Sequence, residues 1–280
     1  MYLRHEIRKV YPEREASSMA SLILEHLGFS SSFYLAEPNH RPGQETVVQI
    51  NEIVNEIHTR APIQYILGET IFCEINIAVN ENVLIPRPET EEMVYRIINS
   101  TTIPPSCVID LGTGSGCIAL ALKKAFPSAE VTGVDRSVPA LALARENGEN
   151  NGLEVAWMTG DMLDPVALLH GDSPFRPGAV DLVVSNPPYV TRVESGAMDR
   201  NVLDFEPRDA LFVEEDDPLQ YYRTIGIFAR EALRAGGVLW IEINERFGRE
   251  TAALMGSSGF QGITIHRDIH EKERFIEARK

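Results

Sequence analysis

VDLVVSNPPYV, residues 180–190, runs from a mostly apolar, β-branched stretch into an asparagine, two prolines and a tyrosine. The run Val180-Asp181-Leu182-Val183-Val184 has the length and composition of a strand covered on both faces. Pro187 and Pro188 supply no ladder N–H, so the strand cannot continue through them. Asn186 therefore stands just beyond a strand's carboxyl end, the edge of an open parallel sheet where ligands lie. Taken alone, Asn-Pro also reads as a plain strand terminator.

The flanking sequence alternates helix and strand: ETEEMVYRIINS, CVIDLG, GCIALALKKAF, EVTGVD, ALALARENGENN and EVAWMTGD precede VDLVVS, and DPLQYYRTIGIFAREAL, GGVLWIEIN and RETAALMGSSGF follow it. Such alternation implies an α/β protein with a doubly wound parallel sheet. Two final strand-like runs, ITIHRD and ERFIEARK, are only four residues apart, too few for a parallel crossover, and are expected to form an antiparallel hairpin. The sheet thus has seven strands with an antiparallel last one. The first third reads differently. EREASSMASLILEHLG puts Met19, Leu22, Ile23 and Leu27 on one helical face and stops at Gly28. After a loop, EPNHRPG, the segment QETVVQINEIVNEIHTR repeats apolar residues at Val47, Ile50, Ile53, Val54 and Ile57, a second amphipathic helix. TIFCEINIAV and NVLIP then read as a β-hairpin or two linking strands. The expected organisation is a helical domain over 1–65, a linking β-hairpin over 66–87 and the α/β domain over 88–280.

The 280 residues carry 41 acidic and 26 basic side chains, a formal charge of −15, which opposes non-specific attraction to a nucleic-acid backbone and suits a basic protein partner. Cys73, Cys107 and Cys117 form no C-x-x-C pair, which points to a reduced, cytoplasmic setting. No charged leader before an apolar segment and no uninterrupted apolar run of about 18 residues is present, so no membrane association is expected.

Chemistry-bearing residues fall at successive strand ends. VIDLGTGSG, residues 108–116, is a strand entering a turn with glycines at 112, 114 and 116. These let the chain bend tightly and let a ligand reach the main chain. The G-x-G-x-G spacing misses the dinucleotide pattern G-x-G-x-x-G, and the Gly-Lys-Ser/Thr of a phosphate loop is absent. Asp135 closes EVTGVD, 23 residues after Gly112, where an acid can accept both ribose hydroxyls of an adenosine or can cap the helix that follows. Asp161 in TGDM can accept from an adenine amino group, with Met162 against the ring, or can again be a cap. The glycine turn, the two acids and NPPY occur in order along the chain, and independent accidents would rarely align so.

In this order the chain resembles a class I S-adenosylmethionine-dependent methyltransferase. Further strings, QYILG at 64–68, VLIPRPETE at 83–91, DLGTGSGCIALAL at 110–122, SNPPYV at 185–190 and EPRDAL at 206–211, are similar to those of the PrmC/HemK family, which methylates the glutamine amide of peptide-chain release factors. The resemblance implies a Rossmann-like sheet, a small N-terminal substrate-recognition domain, and S-adenosylmethionine held by Asp110, Gly112, Thr113, Gly114, Ser115, Gly116, Asp135, Asp161, Met162 and Asn186. It implies catalysis at Asn186, Pro187, Pro188 and Tyr189, with no metal. This chain departs from the family at Cys73-Glu74, where Tyr-Gly or a similar pair is common, at Met162, often aromatic, and at Asn244, where Glu-Ile-Gly commonly ends the fifth strand.

A carboxamide nitrogen is a poor nucleophile because its lone pair is delocalised, so an enzyme must orient it. The Asn186 side-chain oxygen and the Pro187 carbonyl are expected to accept one substrate N–H each, while Tyr189 covers the amide plane. Glu89 and Thr90 of PRPETE are expected to cap the following helix beside the donor pocket. His266 and His270, and the acidic run VEEDDP at 213–218, are read as surface features rather than metal sites. NPPY also occurs in DNA adenine and ribosomal RNA guanine methyltransferases, since these too act on a planar conjugated nitrogen. A nucleic-acid enzyme, a ribosomal-protein glutamine methyltransferase and a donor-binding scaffold without catalysis are therefore the competing readings. The expected partner is a release factor, met by a monomer without nucleic acid or membrane.

Overall fold

The structure is a computed structural model and describes residues 2–29, 42–170 and 175–280. The expected loop EPNHRPG lies mostly outside them. The chain divides into two units: Met1–Glu69 with Asp199–Phe205, and Thr70–Met198 with Glu206–Lys280.

The first unit is helical, with α1 (Tyr2–Ile7), α2 (Glu13–His26), α3 (Gln44–Ile57) and α4 (Ile63–Leu67). Its core is small: Leu3, Ile7, Ala16, Met19, Ala20, Ile23, Val54, Ile57 and Ile63 are buried together. The apolar faces are narrower than their periodicity predicts. Leu22 and Val47 are exposed, because the flanking positions of a wide stripe have no partner in so small a core. α2 ends where expected, with Gly28 in the left-handed region at φ +83°.

The second unit opens with β1 (Glu69–Phe72) and β2 (Ile75–Ala78), a two-stranded sheet. Its turn, Cys73-Glu74, holds both residues at positive φ, +48° and +59°, the conformation a two-residue hairpin requires and glycine adopts more readily. NVLIP at 82–86 is not a strand. Asn80 Oδ1 accepts from Asn82 N in a turn, Ile85 N goes to the Glu206 carboxylate, and Pro86 has no N–H to give.

The sheet proper comprises β3 (Cys107–Leu111), β4 (Glu130–Asp135), β5 (Ala156–Thr159), β6 (Val180–Ser185), β7 (Leu233–Glu242), β8 (Gln261–Arg267) and β9 (Glu273–Arg279), in the order β5-β4-β3-β6-β7-β9-β8. The first five are parallel, while β9 runs antiparallel to both β7 and β8. The last strand is thus antiparallel as expected, but it is inserted inside the sheet, and β8 forms the edge. The remaining helices are α5 (Pro88–Ser100), α6 (Cys117–Ala125), α7 (Val138–Asn151), α8 (Pro165–Leu169), α9 (Arg200–Phe205), which belongs to the first unit, α10 (Arg208–Leu211), α11 (Gln220–Ala232) and α12 (Gly248–Ser257). β3 and β6 are buried on both faces, as their continuous apolar composition demands. After β3 the chain moves outward through β4 and β5, then returns to lay β6 on β3's other side. The order reverses between β3 and β6, and the crevice beyond their carboxyl ends is the topological switch point. Register pairs Leu111 with Ser185 and Ser185 with Ile241, so Gly112, Asn186 and Glu242 leave three neighbouring strands side by side.

Candidate active site

The glycine turn is built on the β3 edge. Gly112 N and Thr113 N both donate to Val134 O, at 2.8 and 2.9 Å, bending the chain over β4. Gly112 has φ +73°, and a Cβ there would meet Met162 Cε at 2.4 Å, while a Cβ on Gly114 would meet nothing within 4 Å. The turn is therefore sealed by Met162 on one side and open at Gly114. Behind it Asp110 is fully buried. One of its oxygens accepts from Thr113 Oγ1 at 2.6 Å, and Oδ1 has no partner of normal hydrogen-bond geometry, nor has the buried Ser115 Oγ. Burial raises the Asp110 pKa to about 7, against the pull of the Thr113 hydroxyl and the Ala119 N–H. Buried Asn147 fastens the turn to the hairpin: its Nδ2 donates to Ser115 O and Ala78 O, and its Oδ1 accepts from Ala78 N.

A cavity of about 560 Å³ opens beyond these strand ends. Gly112, Thr113, Gly114, Ser115, Asp135, Asp161, Met162, Asn186 and Pro188 of the expected residues line it, whereas Asp110, Gly116, Pro187 and Tyr189 do not. Neither acid is a helix cap. Ser137 caps α7, accepting from Ala140 N, and Asp164 caps α8, accepting from Ala167 N. Asp135 instead accepts from Gly114 N and Ser137 N, one on each oxygen at 2.9 Å, which leaves about two of its four lone-pair sites for a ligand. Its pKa is raised by burial, opposed by those N–H groups and by Arg136. Asp161 accepts from Leu163 N through Oδ1 alone, so Oδ2 can serve the cavity.

At the β6 end, four side chains form one chain of hydrogen bonds. Asn186 Nδ2 donates to Thr90 Oγ1 at 2.9 Å, Thr90 Oγ1 donates to Glu242 Oε2 at 2.7 Å, and Tyr189 Oη donates to Glu242 Oε1 at 2.9 Å. Thr90 and Glu242 are buried. Burial raises the Glu242 pKa, while the hydrogen bonds from Thr90 and Tyr189 and the charge of Arg274 pull it down. The Tyr189 phenol is pushed well above its usual value, by burial first and then by Glu242. Behind the tetrapeptide, Asn244 Nδ2 donates to Tyr189 O at 3.1 Å and to both Glu194 oxygens, and Val190 bridges to Phe212.

Thr90 and Glu89 do not cap α5. Arg87 holds the cap position without a side-chain bond and Pro88 occupies the first turn, which needs no N–H there, so Thr90 is free to turn toward Asn186. The EPRDAL string has a matching task. Glu206, 4% exposed, accepts from Ile85 N and from Arg87 Nη2, and so clasps IPRPET to the cavity wall. Sequence spacing does not reveal these partners, since Thr90 and Glu242 lie 152 residues apart. His266 stacks on Trp240 at 4.8 Å and faces Glu277, Asp217 pairs with Arg223, and no cluster fit for a metal ion exists among the described residues. Nor is any described helix long and apolar enough to cross a membrane.

The chain matches the family model of the PrmC N-terminal domain over residues 2–68 and that of the methyltransferase small domain over residues 97–203. It is 36% identical to the release factor glutamine methyltransferase of Bacteroides thetaiotaomicron, covering 100% of this chain and 98% of that protein. It is 37% identical to the release factor glutamine methyltransferase of Flavobacterium psychrophilum, covering 97% and 94%. Among solved structures, a methyltransferase from Pyrococcus furiosus shares the fold, with a TM-score of 0.53 and 16% identity over 74% of this chain and 89% of that one. With the glycine turn, the strand-end acids and NPPY gathered at one switch point and relatives matching along nearly its whole length, the chain belongs to the release factor glutamine methyltransferase family.

Proposed function

We infer that the protein methylates the side-chain amide nitrogen of the glutamine in the Gly-Gly-Gln motif of a peptide-chain release factor, with S-adenosylmethionine as donor. The observation that carries this reading is Asn186. One N–H of its NH₂ group goes to Thr90, which turns the side-chain oxygen away from Thr90 and leaves it as an acceptor for the cavity.

The cavity suits the donor. Asp135 has lone pairs left for the ribose hydroxyls, Asp161 an oxygen left for the adenine amino group, and Met162 an apolar surface for the ring. At Gly114 the main chain is open to close approach, where a larger residue would intrude. When bound, S-adenosylmethionine supplies a methyl group made electrophilic by its sulfonium centre. The protein's part is to place the acceptor. Asn186 Oδ1 takes one N–H of the glutamine amide and the Pro187 carbonyl the other, which aims the nitrogen and freezes its rotation. Pro187 and Pro188 stiffen the segment, and the links from Asn244 and Phe212 hold it from behind, so little order is lost when substrate binds. Tyr189 lies outside the cavity lining, held by its hydroxyl to Glu242, and is assigned to cover the amide plane once substrate enters. The amide proton leaves to solvent after transfer, and no nucleophilic serine or cysteine takes part.

The helical unit and the acidic surface are assigned to holding the release factor, with the protein acting as a monomer in the cytoplasm. All three cysteines are free, which fits a reducing compartment. The charge of −15 works against a nucleic-acid substrate. Incubation with labelled donor and, in parallel, release factor, ribosomal protein and DNA tests the reading. Label is expected in the release factor, and label confined to either of the others overturns it.

A further inference from the structure

We propose that Thr90 and Glu242 are positioning residues that decide which end of the Asn186 carboxamide faces the substrate. The proposal rests on the reading of Asn186 as the amide acceptor. A carboxamide has nearly the same shape either way round, so its oxygen and nitrogen exchange places on rotation by half a turn. If Nδ2 faced the cavity, a substrate amide would meet a donor where it needs an acceptor. Packing cannot choose between the two orientations, but a hydrogen-bond partner can.

The hydrogen-bond chain makes that choice. Two hydroxyls, Thr90 Oγ1 at 2.7 Å and Tyr189 Oη at 2.9 Å, converge on opposite oxygens of Glu242. An ionised carboxylate only accepts, so Thr90 must give it the single proton its hydroxyl owns. What remains on Thr90 toward Asn186 is a lone pair. The neighbouring amide can satisfy that lone pair only with Nδ2, at 2.9 Å, and Oδ1 is thereby turned the other way. Both Thr90 and Glu242 are nearly inaccessible, at 2% and 1% exposed, so water does not compete for these bonds. Adjacent parallel strands deliver Asn186 and Glu242 to one place, and the first turn of α5 delivers Thr90 between them. Thr90 borders the cavity and Glu242 does not, and the choice of orientation requires neither to touch the substrate.

The test compares Thr90→Val, which keeps the shape and removes the hydroxyl, with Thr90→Ser, which keeps the hydroxyl. The first readout needs no substrate: the side-chain NH₂ signals of Asn186 in a ¹⁵N-edited NMR spectrum, assigned by their loss in Asn186→Ala. In the wild type and in Thr90→Ser, one of the two protons is expected to be protected from solvent exchange, and in Thr90→Val that protection disappears. The second readout is steady-state methylation of release factor. Thr90→Val is expected to lower kcat about tenfold to a hundredfold through misorientation, with KM for release factor and donor affinity within about threefold. Thr90→Ser restores kcat. Glu242→Gln, which can accept from only one of the two hydroxyls, is the second variant and should likewise lose the protected proton. Protected Asn186 protons together with near wild-type kcat in Thr90→Val overturn the proposal. A wild-type protein that leaves release factor unmethylated overturns the functional reading instead, and the NMR comparison still decides the orientation.

Discussion

Changing Asp110 to asparagine measures what a buried carboxyl behind the glycine turn does to stability. Asp110 is fully buried and titrates at about 7 in the folded protein, against about 4 in an unfolded chain. Between those values the folded state holds a proton that the unfolded state has released. The stability linked to this group is therefore complete below about pH 4 and is lost as pH rises through 7, by about 1.4 kcal/mol per pH unit between the two values. Between pH 5 and pH 7 the loss amounts to roughly 2 kcal/mol. Asparagine carries no such proton. Its Nδ2 has no acceptor in view, a fixed penalty independent of pH that drops out when only the slope is compared. Glu242, whose pKa is also raised, titrates alike in both proteins and cancels too, whereas Asp135, whose charge helps to raise the Asp110 pKa, is coupled to it and shares in the slope. Urea unfolding at each pH from 5 to 8 supplies the measurement. The unfolding free energy of Asp110→Asn minus that of the wild type should climb by roughly 2 kcal/mol from pH 5 to pH 7 and level off by pH 8. Parallel curves for the two proteins would show that folded Asp110 does not hold its proton up to about pH 7.

Two further predictions concern positions where this chain differs from the family pattern. Glu74 sits at φ +59° in the hairpin turn, and its ion pair with Lys124 is solvent-exposed. Glu74→Gly should therefore stabilise the protein by about 1 kcal/mol by relieving the left-handed strain, and a lowered melting temperature would contradict that. Asn244 is buried and supplies donors to Tyr189 O and Glu194. Asn244→Gly should cost about 1–3 kcal/mol by stranding these acceptors, and unchanged urea unfolding would show that the clasp contributes nothing.

Much of this arrangement was legible in the sequence because it is local. Strand and helix patterns of periods 2 and 3.6 alternate cleanly from Pro88 onward, and the turn glycines and prolines mark where each element stops. The short connection between the last two runs fixes them as a hairpin, but not which of them abuts β7. ITIH and FIEA alternate alike, and only the packing of Phe275, Ile276 and Ala278 places β9 on the inside. NVLIP has strand composition, yet its backbone groups go to a turn and to Glu206, 121 residues from Ile85, so the propensity there is overruled by a distant carboxylate. The same limit applies at the site. The residues expected around the donor follow from position at strand ends, a property each segment carries alone. Thr90 reads as a cap because its neighbours along the chain form a helix start, and its actual partners, Asn186 and Glu242, come from other strands.

Asn186 is the residue proposed to hold a release-factor glutamine amide for methylation. The most direct measurement incubates wild type and Asn186→Ala with labelled S-adenosylmethionine and release factor, maps the label by peptide mass spectrometry, and titrates donor binding to both proteins. A single methyl group is expected on the amide nitrogen of the Gly-Gly-Gln glutamine, with turnover by Asn186→Ala at least about a hundredfold lower and donor affinity changed by no more than about threefold. Near-normal methylation by Asn186→Ala, or label on any residue other than that glutamine, would contradict it.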